Sequence, residues 1–457
     1  MSLFIVGLDA TVVNVALPSI RRDLGASVAQ LQWTIDAYSL TLASLLLLSG
    51  SMADRFGRAR VFKLGLALFT LGSLLCSVAP DVQSLIAFRV LQAVGGSMLN
   101  PVAMSIIRNT FTDPRERAQA IGLWGGVIGV SMALGPVVGG LLVEGVDWRA
   151  IFWVNVPVGI AAIALTARFV PESRAPRPRR VDPAGQVLVV LLLGSLTYAI
   201  IEAPSHGWAS TESVALFAVA AASLAALVIC ELRSREPLIE LRFFRSAPFS
   251  GATAIAVAAF AAQGGFLFLN TLYLQQARDL SPLEAGLWTL PMAAMTVVFG
   301  PLSGRLVGRF GSRPSLVVGG AAMALAGLLL TDLSPTTSFA HLLGAYLLFG
   351  IGFGCVNPPI TNTAVSGMPA DQAGVAAAVA STSRQVGQSL GVAVTGAVAV
   401  PAAAVASAAD LAASAHVGWW IVAGCGALVL ALGLATTSRW ADATARRVAG
   451  ALRERVA

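Results

Sequence analysis

The chain has 457 residues, of which 56% are hydrophobic and only 12% charged. A soluble protein carries about 25% charged residues, so an ordinary soluble enzyme is excluded. A mean hydropathy of +0.78 and a net charge of +7 confined to short stretches between apolar runs point to a membrane protein whose basic residues set topology, and exclude nucleic acid as a partner.

Fourteen apolar runs are expected as transmembrane helices, at 3–20, 33–53, 61–79, 83–106, 118–143, 150–170, 184–203, 213–231, 250–274, 284–304, 314–331, 339–362, 373–398 and 416–437. Each is long enough, at about 20 residues, to cross a hydrocarbon layer of about 30 Å as a helix. The fold class expected is therefore an all-α polytopic membrane protein. Alternate connections hold 24 and 4 basic residues, which places the richer set and both termini in the cytoplasm. Arginine replaces lysine everywhere except Lys63, and alanine is abundant, a composition that suggests a GC-rich bacterial genome and hence a bacterial cytoplasmic membrane.

Run 1 carries Asp9 and Asn14 on an otherwise apolar helix, where polar groups should face the bundle interior. Only eight residues precede Asp9, about 12 Å of helix at 1.5 Å per residue, so this run starts about two turns short. It has no basic leader ahead of it and no small-residue cleavage site behind it, and is expected to be a span rather than a cleaved signal. Asp36 and Tyr38 lie near the start of run 2, and Glu202 at the outer edge of run 7. Arg89 in run 4 is a permanent charge at membrane depth, costing several kcal/mol unless a partner or water meets it, and its expected role is to tune a nearby carboxylate. Asp9, with Arg89, Asp36 and Glu202, makes the set of proton-coupling candidates. Cys76, Cys230, Cys355 and Cys425 stand alone in separate runs, and His206, His341 and His416 lie in or beside short loops; no metal-ligand spacing results.

An internal repeat organises the chain. GSMADRFGRAR at 50–60 returns as GRLVGRFGSRP at 304–314, LQAVGGSMLNP at 91–101 as LFGIGFGCVNP at 348–358, and PRERAQA at 114–120 more weakly as PADQAGV at 369–375. The expected layout is a six-helix half over 1–170, an inserted pair of helices with its loops over 171–248, a second six-helix half over 249–437 and a cytoplasmic tail over 438–457. Parallel repeats of this kind place a site at mid-membrane between the halves.

These motifs resemble the major facilitator superfamily, and within it the fourteen-spanner drug:proton antiporters, over essentially the whole chain. The family's loop after its second helix reads here Gly50-Ser-Met-Ala-Asp54-Arg55-Phe56-Gly57-Arg58. Gly50 permits close helix approach, and Asp54 can accept hydrogen bonds from arginine or a helix N-terminus, so Gly50, Asp54, Arg55, Gly57 and Arg58 are gating candidates. Gly308 replaces Asp54 in the second copy, so the latch is expected to be asymmetric. Run 5 carries a sequence similar to the antiporter motif, with Gly129, Gly135, Pro136, Gly139 and Gly140; small residues four apart make a packing face, and Pro136 lets the helix bend. LDATVVNVALP at 8–18, FRVLQAVGG at 88–96, WRAIFWVNVPVG at 148–159, LYLQQARDLSPLEAGLWTLP at 272–291 and SRQVGQSLGVAV at 383–394 are further family-like pieces. From these and the neighbouring runs the substrate-cavity candidates are Asn14, Tyr38, Asn155, Asn270, Tyr273, Gln275, Asn357, Arg384 and Gln385. The resemblance implies export of amphipathic, cationic or neutral small molecules in exchange for protons, with a dedicated exporter of one metabolite, antibiotic or lipid precursor as the alternative. It implies no cofactor beyond the proton gradient and no enzymatic activity; there is no Walker A, HExxH or Ser/His/Asp arrangement in the sequence. Neither substrate identity nor oligomeric state follows from the motifs.

Overall fold

A computed structural model describes residues 1–111, 113–175, 182–234, 237–366, 368, 372–399 and 414–453. Among these residues every regular element is helical. In chain order the helices are α1 (Ser2–Leu24), α2 (Val28–Phe56), α3 (Arg58–Ser77), α4 (Val82–Ser97), α5 (Leu99–Thr110), α6 (Pro114–Gly145), α7 (Ala150–Trp153), α8 (Asn155–Phe169) and α9 (Pro183–His206). They continue as α10 (Thr211–Arg233), α11 (Ala247–Leu272), α12 (Pro282–Trp288), α13 (Leu290–Phe310), α14 (Ser312–Leu330), α15 (Phe339–Val365), α16 (Ala373–Ala399), α17 (His416–Thr436) and α18 (Arg439–Arg453).

Twelve spans among the described residues are long and apolar enough to cross a membrane. Several join two helices: Val82–Ile107 takes in α4 and part of α5, and Ala150–Phe169 takes in α7 and α8. The other two expected runs also fall on long helices, α6 and α16, but neither is among the twelve. In α16 the run from Ser381 to Ser389, with Arg384, Gln385 and Gln388, interrupts a helix otherwise rich in alanine, valine and glycine.

The breaks between helices follow from local chemistry. Gly25 ends α1 in the left-handed region at φ 62°, and Ser27 starts α2 with a capping box, exchanging side-chain and backbone hydrogen bonds with Gln30. Asp81 caps α4 and Ser281, with Glu284, caps α12 in the same way. Between α2 and α3 the chain turns at Gly57, whose φ of 112° suits glycine alone.

The chain divides into two compact units. One comprises Met1–Val190 with Leu274–Leu290, the other Leu191–Tyr273 with Pro291–Ala457. In the first unit α3 packs on α4 and α8, and α6 on α1 and α12. The second is built around α11, which lies against α15, α16 and α17 and buries 83% of its most apolar stretch, whereas α10 buries only 22%. An all-round apolar helix such as α10 that is not covered by protein presents its surface to lipid.

Candidate functional site

In the first unit, polar side chains from α1, α3, α4 and α8 converge on one buried network. Asp9 of α1 and Arg89 of α4 are 0% and 1% exposed, and the Arg89 Nη1 donates to Asp9 Oδ2 at 2.6 Å. The other carboxylate oxygen, Asp9 Oδ1, accepts from Gln92 Nε2 at 2.8 Å and from Asn155 Nδ2 at 3.2 Å. Arg89 also donates to Gln92 Oε1 at 2.6 Å and, through Nε, to the Thr34 carbonyl at 3.2 Å. Its guanidinium carbon lies 4.2 Å from the centroid of the Tyr38 ring and 5.7 Å from that of Phe152. Ser73 of α3 closes the network, accepting from Gln92 and Asn155 and donating to the Phe152 carbonyl at 3.0 Å.

Small residues make this convergence possible. A Cβ on Gly72 would stand 2.6 Å from the backbone of Gln92, so α3 and α4 touch at their main chains, and Ser73 is carried within reach of the amide. The arrangement satisfies the rule that a charge taken out of water survives only with a counter-charge and full hydrogen bonding. Chemically, one carboxylate ties α1, α4 and α8 together through Arg89, Gln92 and Asn155.

The sequence-expected residues separate into those inside the network and those elsewhere. Asp9, Arg89, Tyr38 and Asn155 are inside it. Asn14 is buried but donates within its own helix, to Ala10 O at 3.3 Å. Asp36 lies two turns into α2, whose start at Val28 is earlier than the run implied, and is fully buried. Glu202 belongs to the second unit, is half-buried and accepts from Ser205 Oγ at 3.4 Å. Gln275 donates to Val15 O of α1 at 2.9 Å. In the second unit Asn270 accepts from the Tyr346 hydroxyl, Tyr273 donates to Ser334 O at 2.7 Å, and the Asn357 carbonyl accepts from Arg384 at 3.4 Å. Gln385 is half-buried on α16.

At the α2–α3 turn two carboxylates take separate partners. Asp54 pairs with Arg58 one turn on, at 2.9 Å, and it is Glu172, beyond α8, that meets the N-terminus of α3. Glu172 accepts from Ala59 N at 3.1 Å and Arg60 N at 3.2 Å, and a Cβ on Gly57 would collide with its carboxylate at 2.6 Å. Backbone bonds complete the clasp, from Arg58 N to Ser173 O at 2.9 Å and from Ala175 N to Asp54 O at 3.1 Å. Arg55 is exposed and Gly50 faces Pro101.

The glycines of α6 do form a packing face. A Cβ on Gly135 would strike Thr11 Oγ1, one on Gly139 would lie 2.8 Å from Val12, and one on Gly140 would lie 2.6 Å from the backbone of Pro282 and Leu283. Pro136 lies within the helix, and its carbonyl is what a Cβ on Gly286 would strike. Gly129 lies on the same helix. At the far end of α1, Asp23 accepts from Trp148 Nε1 at 2.9 Å and pairs with Arg149 at 2.7 Å, and a cavity of about 750 Å³ lies between Arg21, Arg22 and Gln275–Glu284.

Sequence reasoning missed Gln92, Ser73, Glu172 and Asp23. Gln92 had a signal, since it follows Arg89 by three residues and so shares its helix face.

The model of the Major Facilitator Superfamily matches residues 1–392. The multidrug resistance protein Stp of Mycobacterium tuberculosis is 37% identical over 398 residues, covering 87% of this chain and 74% of its own. The tetracenomycin C resistance and export protein of Streptomyces glaucescens is 38% identical with the same coverage. The puromycin resistance protein pur8 of Streptomyces alboniger is 41% identical over 397 residues, covering 85% of this chain and 78% of its own. Among solved structures, a peptide transporter POT in complex with sulfate aligns with a TM-score of 0.69 over 98% of this chain and 94% of that one. At 15% identity that likeness concerns the fold alone.

Proposed function

The chain belongs to the major facilitator superfamily, a family of membrane transporters and not of enzymes, and we propose that it is a drug exporter that exchanges amphipathic small molecules for protons by alternating access. The observation that carries the coupling is the enclosed Asp9–Arg89 pair. A guanidinium does not lose its proton at any working pH, so the carboxylate is the member of the pair that can gain and lose one. With Asp9 ionised, α1, α4 and α8 are tied through Arg89, Gln92 and Asn155. With it protonated, the charge term that holds Arg89 vanishes and the helices are free to re-pair. A proton arriving from outside would thus loosen one conformation of the first unit, and its departure to the cytoplasm would restore it.

We read the chain as fourteen-spanning, with α6 and α16 crossing beside the twelve more apolar spans. Both termini then lie in the cytoplasm, as do the α2–α3 turn and its Glu172 clasp. Along the sequence one six-helix half precedes and the other follows the pair formed by α9 and α10, and the energy source is the proton gradient with no other cofactor. A dedicated exporter of one compound is the second reading, favoured by the relatives named for tetracenomycin C and puromycin alone.

The deciding experiment loads vesicles containing the purified protein with a fluorescent amphipath and imposes a pH gradient. Uphill movement that disappears with a protonophore is expected, together with proton release on substrate addition. Transport that persists unchanged after the gradient is collapsed would refute proton coupling.

A further inference from the structure

The two arginines within the apolar helices are met very differently. Arg89 has a carboxylate at 2.6 Å. Arg384, on α16 of the second unit, has no carboxylate within ion-pair distance among the described residues. Its Nη2 donates to Thr361 Oγ1 at 2.6 Å and to Asn357 O at 3.4 Å, both neutral acceptors on α15. Its Nε is enclosed and makes no hydrogen bond. The residue as a whole is part-buried rather than fully enclosed.

A permanent positive charge at this depth is costly unless something of opposite sign reaches it for at least part of the time. Placing the same charge on a residue without an acidic partner is expected where the partner arrives as cargo. The surroundings suit an organic ion rather than a small inorganic one. The guanidinium carbon lies 5.9 Å from the Phe260 ring of α11, and Phe260 meets Phe353 of α15 edge to face at 5.0 Å. One turn along α11 from Phe260, the buried Gln263 Oε1 is also without a hydrogen-bond partner. A planar cation with Nη1 uncommitted can reach an oxyanion by a charge-assisted hydrogen bond, beside the buried Phe260 and Phe353 rings that give the surroundings their aromatic character.

We propose that Arg384 anchors an anion-accepting subsite, which takes amphipathic aromatic substrates through a carboxylate, sulfonate or phenolate group. This extends the substrate class beyond cationic and neutral compounds, and it rests on the exporter reading above for its biological use but not for its binding chemistry.

The test is equilibrium binding to the full chain in nanodiscs, using two probes that differ by one group: anilinonaphthalene sulfonate and its uncharged counterpart phenylnaphthylamine. Wild type should prefer the sulfonate. Arg384→Gln should weaken sulfonate binding by about tenfold or more while leaving the neutral probe within about twofold. Arg384→Lys should recover part of the loss, since it restores the charge but not the fork. Retained binding of the neutral probe shows that each variant is folded. Equal sulfonate affinity in wild type and Arg384→Gln overturns the subsite, as does a wild type that binds neither probe. If the sulfonate binds through Arg384 but neither probe is exported under a proton gradient, the subsite stands and the exporter reading fails.

Discussion

Replacing Asp9 by asparagine keeps the volume of the side chain and removes its charge. In the structure the carboxylate accepts three hydrogen bonds, from Arg89, Gln92 and Asn155, and none of its surface meets solvent. The amide of Asp9→Asn would turn a donor toward at least one of these three donors and leave Arg89 buried with neutral acceptors only, Gln92 Oε1 and Thr34 O. Breaking a buried pair from one side costs about 3–5 kcal/mol. Arg89→Gln should cost less, because an unpaired carboxyl can escape its charge by binding a proton whereas a guanidinium cannot. Removing both charges in Asp9→Asn/Arg89→Gln should cost far less than the sum of the single changes, since replacing a whole buried ion pair by neutral groups is often close to neutral. The coupling between the two positions should therefore reach about 3 kcal/mol, read from denaturant or mixed-micelle unfolding of the purified protein. All three variants should lose uphill export, and only the double variant should regain stability. Additive losses across the cycle would refute the pair as the organising element of the site.

The clasp at the α2–α3 turn separates two carboxylates by role: Asp54→Asn should express and unfold nearly as wild type while strongly slowing turnover, whereas Glu172→Ala, which deprives the α3 N-terminus of two hydrogen bonds, should lower stability by about 1–2 kcal/mol in thermal unfolding. Normal transport by Asp54→Asn would reduce that residue to a topological one. Gly140→Ala forces a methyl group against the backbone of Pro282 and Leu283 and should cost about 1–3 kcal/mol of stability with a parallel loss of transport, checked by unfolding and vesicle assays; an unaltered protein would show that α6 and α12 need no close contact.

Much of the helical order was legible because it rests on hydropathy over windows of about 20 residues, a signal that survives without any knowledge of partners. Ends and breaks were less legible. The run at 83–106 does not reveal that α4 stops at Ser97 and α5 starts at Leu99, a break that follows the close approach at Gly95, where a Cβ would meet the Phe69 amide and Gly65 carbonyl of α3. The inward set of Asp36 likewise depends on the capping box at Ser27, which starts α2 at Val28, five residues before the start at 33 that hydropathy alone gives.

The site divides along the same physical line. Asp9 and Arg89 announced themselves because a charge in an apolar helix is expensive and demands an explanation from one residue at a time. Gln92, Ser73 and Asn155 carry no such penalty in sequence, since an amide or hydroxyl in a membrane helix can bond its own backbone, as Asn14 does with Ala10. Their part in holding the carboxylate appears only when α1, α3, α4 and α8 are brought together. Glu172 was hidden for the opposite reason: a charged residue in a polar connection is ordinary there, and only the bare N-terminus of α3, with Gly57 cleared of any side chain, turns it into a clasp. Arg384 inverts the case of Arg89. Its sequence signal was as strong, but the structure supplies no carboxylate for it among the described residues, so the same argument that paired Arg89 with Asp9 sends the search for the partner of Arg384 to the cargo.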